Sequence, residues 1–166
     1  MPTPVKIAIT GLGFTQSMLP GYLACPDTKL VLFHDIDPVP AKKLSEEAGG
    51  VPWTTNFDDV LRSDAEIVEI GTPNHLHADQ AIACMKAGKH VLIEKPLAPT
   101  VPECRRICDS SKATGRRAGV NMTMQNLPFH HSLRAMIRQG LFGKISAARV
   151  RLAHRGPCRR TDGNHW

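Results

Sequence analysis

The chain has 166 residues, 42% hydrophobic and 22% charged, a composition that suits one globular domain, leaves little room for a second and excludes intrinsic disorder. No stretch approaches the roughly 18 to 20 consecutive apolar residues of a membrane span, and the opening Met-Pro-Thr-Pro-Val-Lys has no apolar core before a small-residue cleavage site, so a cytoplasmic protein is expected. The formal charge of +6 is uneven: residues 1–100 hold eight Lys and Arg against twelve Asp and Glu, whereas residues 101–166 hold thirteen against three.

Val5–Ile9 is a short apolar run of strand length, followed by Thr10-Gly11-Leu12-Gly13-Phe14-Thr15-Gln16. A second run, Leu30–Phe33, precedes His34-Asp35-Ile36-Asp37, and Asp37-Pro38 opens a helix that lasts to Ala48-Gly49, with Pro in its tolerated first turn. Ile67–Ile70 is the next strand, followed by Gly71-Thr72-Pro73-Asn74-His75-Leu76-His77. Asn74 is the expected N-cap of a helix that carries Ala78, Ala81, Ile82 and Met85 on one face and closes at Gly88. Val91–Ile93 leads into Glu94-Lys95-Pro96. Thr100-Val-Pro-Glu103 is a capping box for a helix with Val101, Cys104, Ile107 and Cys108 on one face, ending near Gly115. A weaker strand, Ala118–Val120, is followed by a helix from about Pro128 to Gln139 that stops at Gly140, and by a strand-like run, Ile145–Leu152. From Arg155 onward the periodicity fails.

Strands alternating with helices of this length imply right-handed crossovers and a parallel sheet covered on both faces. The expected fold is therefore α/β, a doubly wound parallel sheet of Rossmann type over residues 1–122. Residues 123–166 are read as a linker helix and the start of a second α/β domain, of which only the first helix and strand are present, as in a truncated protein. The five cysteines are odd in number and have no disulfide-framework spacing, so reduced thiols are expected.

Ligands of such a sheet sit at the carboxyl ends of the strands, near the switch in strand order. The segment after the first strand reads G-x-G-x-x-Q: Gly11 permits the tight turn, Gly13 lets the backbone approach a pyrophosphate, and Gln16 replaces the glycine that usually allows close helix-strand packing. Asp35 lies about 20 residues further on, where a carboxylate accepts from the adenosine ribose hydroxyls and repels a 2′-phosphate, which favours NAD over NADP. The alternative is that Asp37 caps a helix and Asp35 is merely solvated. Lys95, just past a buried strand, could hold a polar substrate or tune a proton transfer.

Taken in order, the G-x-G loop, Thr-Pro-Asn-x-x-His at 72–77, Ala-Gly-Lys-His-Val-Leu-Ile-Glu-Lys-Pro-Leu-Ala at 87–98, and Gly140-x-x-Gly143 with a following strand resemble the glucose-fructose oxidoreductase / inositol dehydrogenase / MocA family of nicotinamide-dependent oxidoreductases. The resemblance spans about Val5 to Leu152. It implies an enzyme that transfers a hydride between NAD(P) and a sugar, cyclitol or related polyol, with a second domain that carries the substrate site and an oligomer interface, hence a homo-oligomer. It matches Gly11, Leu12, Gly13, Phe14, Asp35, Thr72, Asn74, His77, Glu94 and Lys95 to cofactor-lining positions and gives Lys95 a catalytic contact with the substrate. Two departures stand out. Gln125 occupies the place of an Arg three residues before Pro128, and Asp162-Gly-Asn-His165 does not reproduce the family's downstream Asp-x-Gly-x-His motif, so little turnover is expected of this chain.

Three other readings compete. A zinc site could be assembled from Cys104, Cys108, His154 and Cys158, but the spacing departs from the usual knuckle and the helical cysteines sit at apolar positions, so no metal is expected. Nucleic-acid binding through the arginines of residues 105–160 has poor aromatic interleaving, with only Phe129, Phe142 and Trp166 available to stack. The third is a cofactor-binding protein without catalysis.

Overall fold

The computed structural model describes residues 3–151. Contacts divide the chain into two units, the first ending at Asn121 and the second beginning at Met122. The first contains six strands, β1 (Val5–Thr10), β2 (Thr28–His34), β3 (Trp53–Thr54), β4 (Ile67–Ile70), β5 (His90–Glu94) and β6 (Ala118–Asn121), and six helices, α1 (Leu12–Thr15), α2 (Leu19–Ala24), α3 (Pro38–Glu47), α4 (Phe57–Arg62), α5 (His77–Lys86) and α6 (Val101–Thr114). The strands form one sheet in the order β3-β2-β1-β4-β5-β6, every pairing parallel. The order reverses between β1 and β4, so the expected doubly wound sheet is present and its switch point falls where Gly11 and Gly71 leave the sheet.

Alternation of side chains along the strands builds two cores. Ala8, Val68, Ile70, Val91 and Ile93 face α4, α5 and α6, packing on Val60, Ala78, Ala81, Cys84, Met85 and Ile107. Ile7, Ile9 and Phe33 face the other way and pack on Leu12, Leu19, Ala41 and Leu44. Burial pushes the Cys84 thiol up to about 12, so it behaves as a small apolar side chain.

Local sequence explains most boundaries. Asp37 accepts from the Val39 N–H at 2.9 Å and caps α3, with Pro38 in its first position. Thr100 and Glu103 form the reciprocal capping box of α6, and Gly115 ends that helix at φ 67°. Of the expected apolar face of α6, Ile107 is buried and Cys104 packs against the core, whereas Val101 and Cys108 are exposed; the helix rests on the sheet along a narrower stripe than its apolar residues span. Asn74 is not an N-cap: it begins a 3-10 turn, Asn74–Leu76, and α5 starts at His77 without a side-chain cap.

Three features were not anticipated. Pro20 has no N–H to give to the carbonyl of Gln16, and the helix after the glycine loop breaks there into α1, a 3-10 turn at Gln16–Met18, and α2. Asn56 caps the short helix α4 by accepting from the Asp58 N–H. The two-residue strand β3 extends the sheet beside β2, pairing Trp53 with Phe33.

In the second unit, α7 (Pro128–Arg138) ends at Gly140 with φ 72°, as the sequence indicated. Its Phe129, Leu133, Met136 and Ile137 are exposed. The strand expected at Ile145–Leu152 does not form over 145–151, where no neighbouring strand among the described residues offers the hydrogen bonds it needs; Leu152 lies outside them, as do His154 and Cys158 of the zinc reading. No helix among the described residues is long and apolar enough to cross a membrane.

A carboxyl group interrupts the second core. Glu69 is fully buried on β4, where the Tyr22 hydroxyl faces its carboxyl but neither oxygen has a partner in ordinary hydrogen-bond geometry. Burial pushes its carboxyl up to about 7; the Glu94 carboxylate adds to the rise and Tyr22 opposes it. Because the folded value lies above the usual 4.5, the group favours the fold at acid pH, and that stability is lost as pH rises through about 7. Raising pH from 4.5 to 8 is therefore expected to cost about 3 kcal/mol through this residue. Glu69→Gln should remove most of that loss in urea denaturation series, and an unchanged pH slope in the variant would contradict the assignment.

Candidate nucleotide site

The carboxyl ends of β1, β2, β4 and β5 bring four loops to one edge of the sheet. At the centre, Gly11 leaves β1 with φ +79° and lies directly against the turn after β4. A Cβ on Gly11 would stand 2.4 Å from the Thr72 nitrogen and 2.5 Å from the Gly71 carbonyl carbon. Gly71 is constrained in turn, since a Cβ there would come within 2.1 Å of Thr15 Cγ2 and 3.0 Å of the Gly11 oxygen. The two glycines permit backbone to pack on backbone, and Thr15 locks the contact by donating its hydroxyl to the Gly11 carbonyl at 2.6 Å.

This arrangement reassigns Gln16. Close packing between helix and strand is supplied by Gly71 and Thr15, while Gln16 is exposed and donates from Nε2 to the Gly13 carbonyl at 2.8 Å. A side chain at position 16 therefore costs the loop nothing.

Asp35 follows β2 and turns back toward the glycine loop. Its Oδ2 accepts from the Leu12 N–H at 2.7 Å and its Oδ1 from the Asp37 N–H at 3.0 Å. The Leu12 N–H is one of the groups that a helix's first turn leaves without an intrahelical acceptor, and here a carboxylate takes it. Asp35 is thus neither merely solvated nor simply a free ribose ligand: it is fixed in place, half-buried, with lone pairs remaining on both oxygens. Beneath it, His34 is buried, its Nδ1 2.6 Å from the Thr10 hydroxyl, and burial lowers its pKa, which keeps the ring neutral beside the loop. Leu12 is itself fully buried and its N–H is taken by Asp35, so it does not line the surface of the loop; Gly13 and Phe14 are exposed.

On the other side of the switch point, Thr72 donates its hydroxyl to Gln80 Oε1 at 2.6 Å and Asn74 is half-buried. His77 is fully buried and does not line open space. Its Nε2 lies 2.8 Å from the Thr72 carbonyl and its Nδ1 2.9 Å from the Pro96 carbonyl, so the ring ties the turn after β4 to the one after β5. Glu94, expected on the site surface, is 6% exposed and points along the sheet face to accept from the Asn121 amide. Lys95 is exposed, with its ammonium 5.7 Å from the centre of the Phe14 ring, in cation-π range.

The sequence reading missed Gly71, Thr15, His34 and Asn121. Gly71 carried a readable signal, a glycine at the end of an apolar run; Thr15 acts through its packing on Gly71, and His34 and Asn121 through contacts between strands distant in sequence.

A family model described as "Oxidoreductase family, NAD-binding Rossmann fold" matches residues 5–122. The chain belongs to this family, Gfo/Idh/MocA. It is 39% identical over 110 residues to a 1,5-anhydro-D-fructose reductase of Ensifer adhaerens, an alignment covering 66% of this chain and 33% of that protein. It is 36% identical over 145 residues to an alpha-N-acetylgalactosaminidase of Shewanella oneidensis, covering 85% and 31%. Among solved structures, a scyllo-inositol dehydrogenase from Lactobacillus casei with bound NAD(H) and scyllo-inositol superposes with TM-score 0.79 at 21% identity, covering 85% of this chain and 43% of that one. A 3-ketoreductase from Actinomadura kijaniata in complex with NADP and TDP-benzene gives 0.76 at 25%, covering 84% and 43%. The chain thus spans about a third of the length of these curated relatives.

The Gly11 contact makes a direct prediction. Gly11→Ala combines a left-handed backbone with a clash against backbone, each costing about 1 to 3 kcal/mol, and should lower stability by at least about 2 kcal/mol in chemical denaturation. An unshifted midpoint would show that the loop does not rest on Gly71.

Proposed function

We propose that residues 1–122 bind NAD in preference to NADP and serve a hydride transfer to or from a sugar, cyclitol or related polyol. The observation that carries this reading is the Asp35 carboxylate, held by the Leu12 N–H at the mouth of the glycine loop. In that position it accepts from the ribose hydroxyls and repels a phosphate, and the sequence places no Lys or Arg between it and Lys42 to offset the repulsion. The residues present fit a dinucleotide: a carboxylate at the adenosine end, an exposed Gly13 backbone for the pyrophosphate, and Thr72 and Asn74 beyond the switch point.

The bound nicotinamide supplies the hydride acceptor or donor. The chain supplies the rest of what can be assigned here. Lys95 touches the substrate hydroxyl and polarises it by donating a hydrogen bond, and its approach to Phe14 places the ammonium over the glycine loop. His77 acts from behind, fixing the turn that holds Thr72 against the one that holds Lys95.

Titration calorimetry should give at least tenfold tighter binding of NAD than of NADP, and Asp35→Ala should erase the difference and weaken NAD. Tighter NADP binding by the unmodified chain would refute the role of Asp35. Release of sugar from an aryl glycoside in the presence of NAD, without net cofactor reduction, would replace net oxidation or reduction of the substrate by the activity for which the Shewanella relative is named.

A further inference from the structure

The mechanism leaves one buried acid unused. Glu69 sits one residue short of the carboxyl end of β4, fully buried, with neither oxygen in ordinary hydrogen-bond geometry and the Tyr22 hydroxyl facing it as a donor. A buried carboxyl normally has partners, because leaving one unmatched costs several kcal/mol when it is charged. The register of the sheet places Glu69 opposite Leu92 of β5, so Glu94, two residues further along, is its diagonal neighbour on the same face. From the other elements packed there, β1 contributes Ile7 and Ile9, α2 contributes Tyr22, and β6 contributes Asn121 to Glu94. Tyr22 and Glu94 are the titratable groups facing Glu69; no Lys, Arg or His is among them. Burial and the two carboxyls push the Tyr22 hydroxyl well above its ordinary range, so it remains a donor and is not an additional anion.

The position matters for the ligand proposed above, and this inference rests on that reading. A dinucleotide held with its adenosine ribose at Asp35 after β2 and its pyrophosphate at Gly11–Gly13 after β1 would extend across the switch point, toward the ends of β4 and β5. The oxidised ring is a cation; the reduced ring is neutral. An acid stored just below those strand ends, fully buried and therefore weakly screened, senses that difference. We propose that Glu69, coupled to Glu94, is a proton-linked selector of cofactor oxidation state: it holds its proton with the reduced cofactor or none, and releases it to solvent when the oxidised cofactor binds. One proton leaves the carboxyl and one positive charge arrives over it, so the buried charge balances, and no bond to the cofactor is made or broken. By linkage, the oxidised form binds better as pH rises, and binding it acidifies the medium.

The test is calorimetric titration of the full chain with NAD⁺ and with NADH from pH 5.5 to 8.5, each in two buffers of different ionisation enthalpy so that proton release is counted. The ratio of NAD⁺ to NADH affinity should rise roughly fivefold or more across this range, with fractional proton release for NAD⁺ near neutrality and none for NADH. Glu69→Gln, which keeps the shape and removes the charge, should flatten the ratio and abolish the release while both cofactors still bind; Tyr22→Phe should keep the linkage and move its midpoint. Binding of both cofactors with a pH-independent ratio, or a linkage that survives Glu69→Gln, would overturn the assignment and leave the nucleotide site intact. Binding of neither would overturn the nucleotide reading and this one with it.

Discussion

Gly11 and the Gly71–Thr72 turn meet backbone to backbone at the point where the strand order reverses, with no room for a side chain on either glycine. The positions of the loops after β1 and β4 follow from this approach. It fixes the end of β1 against the end of β4 and sets the direction in which α1 leaves the sheet. The Thr15 hydroxyl and the Asp35 carboxylate then complete the polar bookkeeping of the turn: one satisfies the Gly11 carbonyl, the other the Leu12 N–H. Asp35 consequently serves the fold and the proposed ligand with the same two oxygens, which ties nucleotide preference to loop structure.

The second half of the site depends on a different device. Thr72 and Lys95 lie on separate turns, and the His77 ring bridges them through two main-chain carbonyls. A side chain there with only one polar end could hold one turn or the other. Glu94 and Asn121 extend the tie to β6. The residues nearest the proposed chemistry thus gain their precision from buried and half-buried groups behind them, which is the support an exposed Lys95 requires.

Elements with a local signal were legible in the sequence: β1, β4 and β5 as apolar runs, α3 from Asp37-Pro38, α6 from its capping box, the ends at Gly88, Gly115 and Gly140. The glycine loop and the family motifs located the edge of the sheet that matters. What was not legible depended on partners far along the chain. The break after α1 follows from a proline four residues past Gln16, β3 exists only because Phe33 offers it hydrogen bonds, and the run from Ile145 lacks a partner among the described residues. The burial of His77 and Glu94 belongs to the same class: their motifs mark them as important, but only the packing of α5 on β5 and the register of β5 on β6 show that they act from within.

The central claim, that the loops gathered around Gly11 and Gly71 form one dinucleotide site, is tested most directly by amide chemical-shift changes in ¹⁵N-labelled protein as NADH is added. The account predicts that the largest changes fall on Gly11–Phe14, Asp35–Asp37, Thr72, Asn74 and Lys95, with the opposite end of the strands, at Ser63–Glu66 and Lys89, unmoved. Saturable changes centred on that opposite end, or on α7, would contradict it.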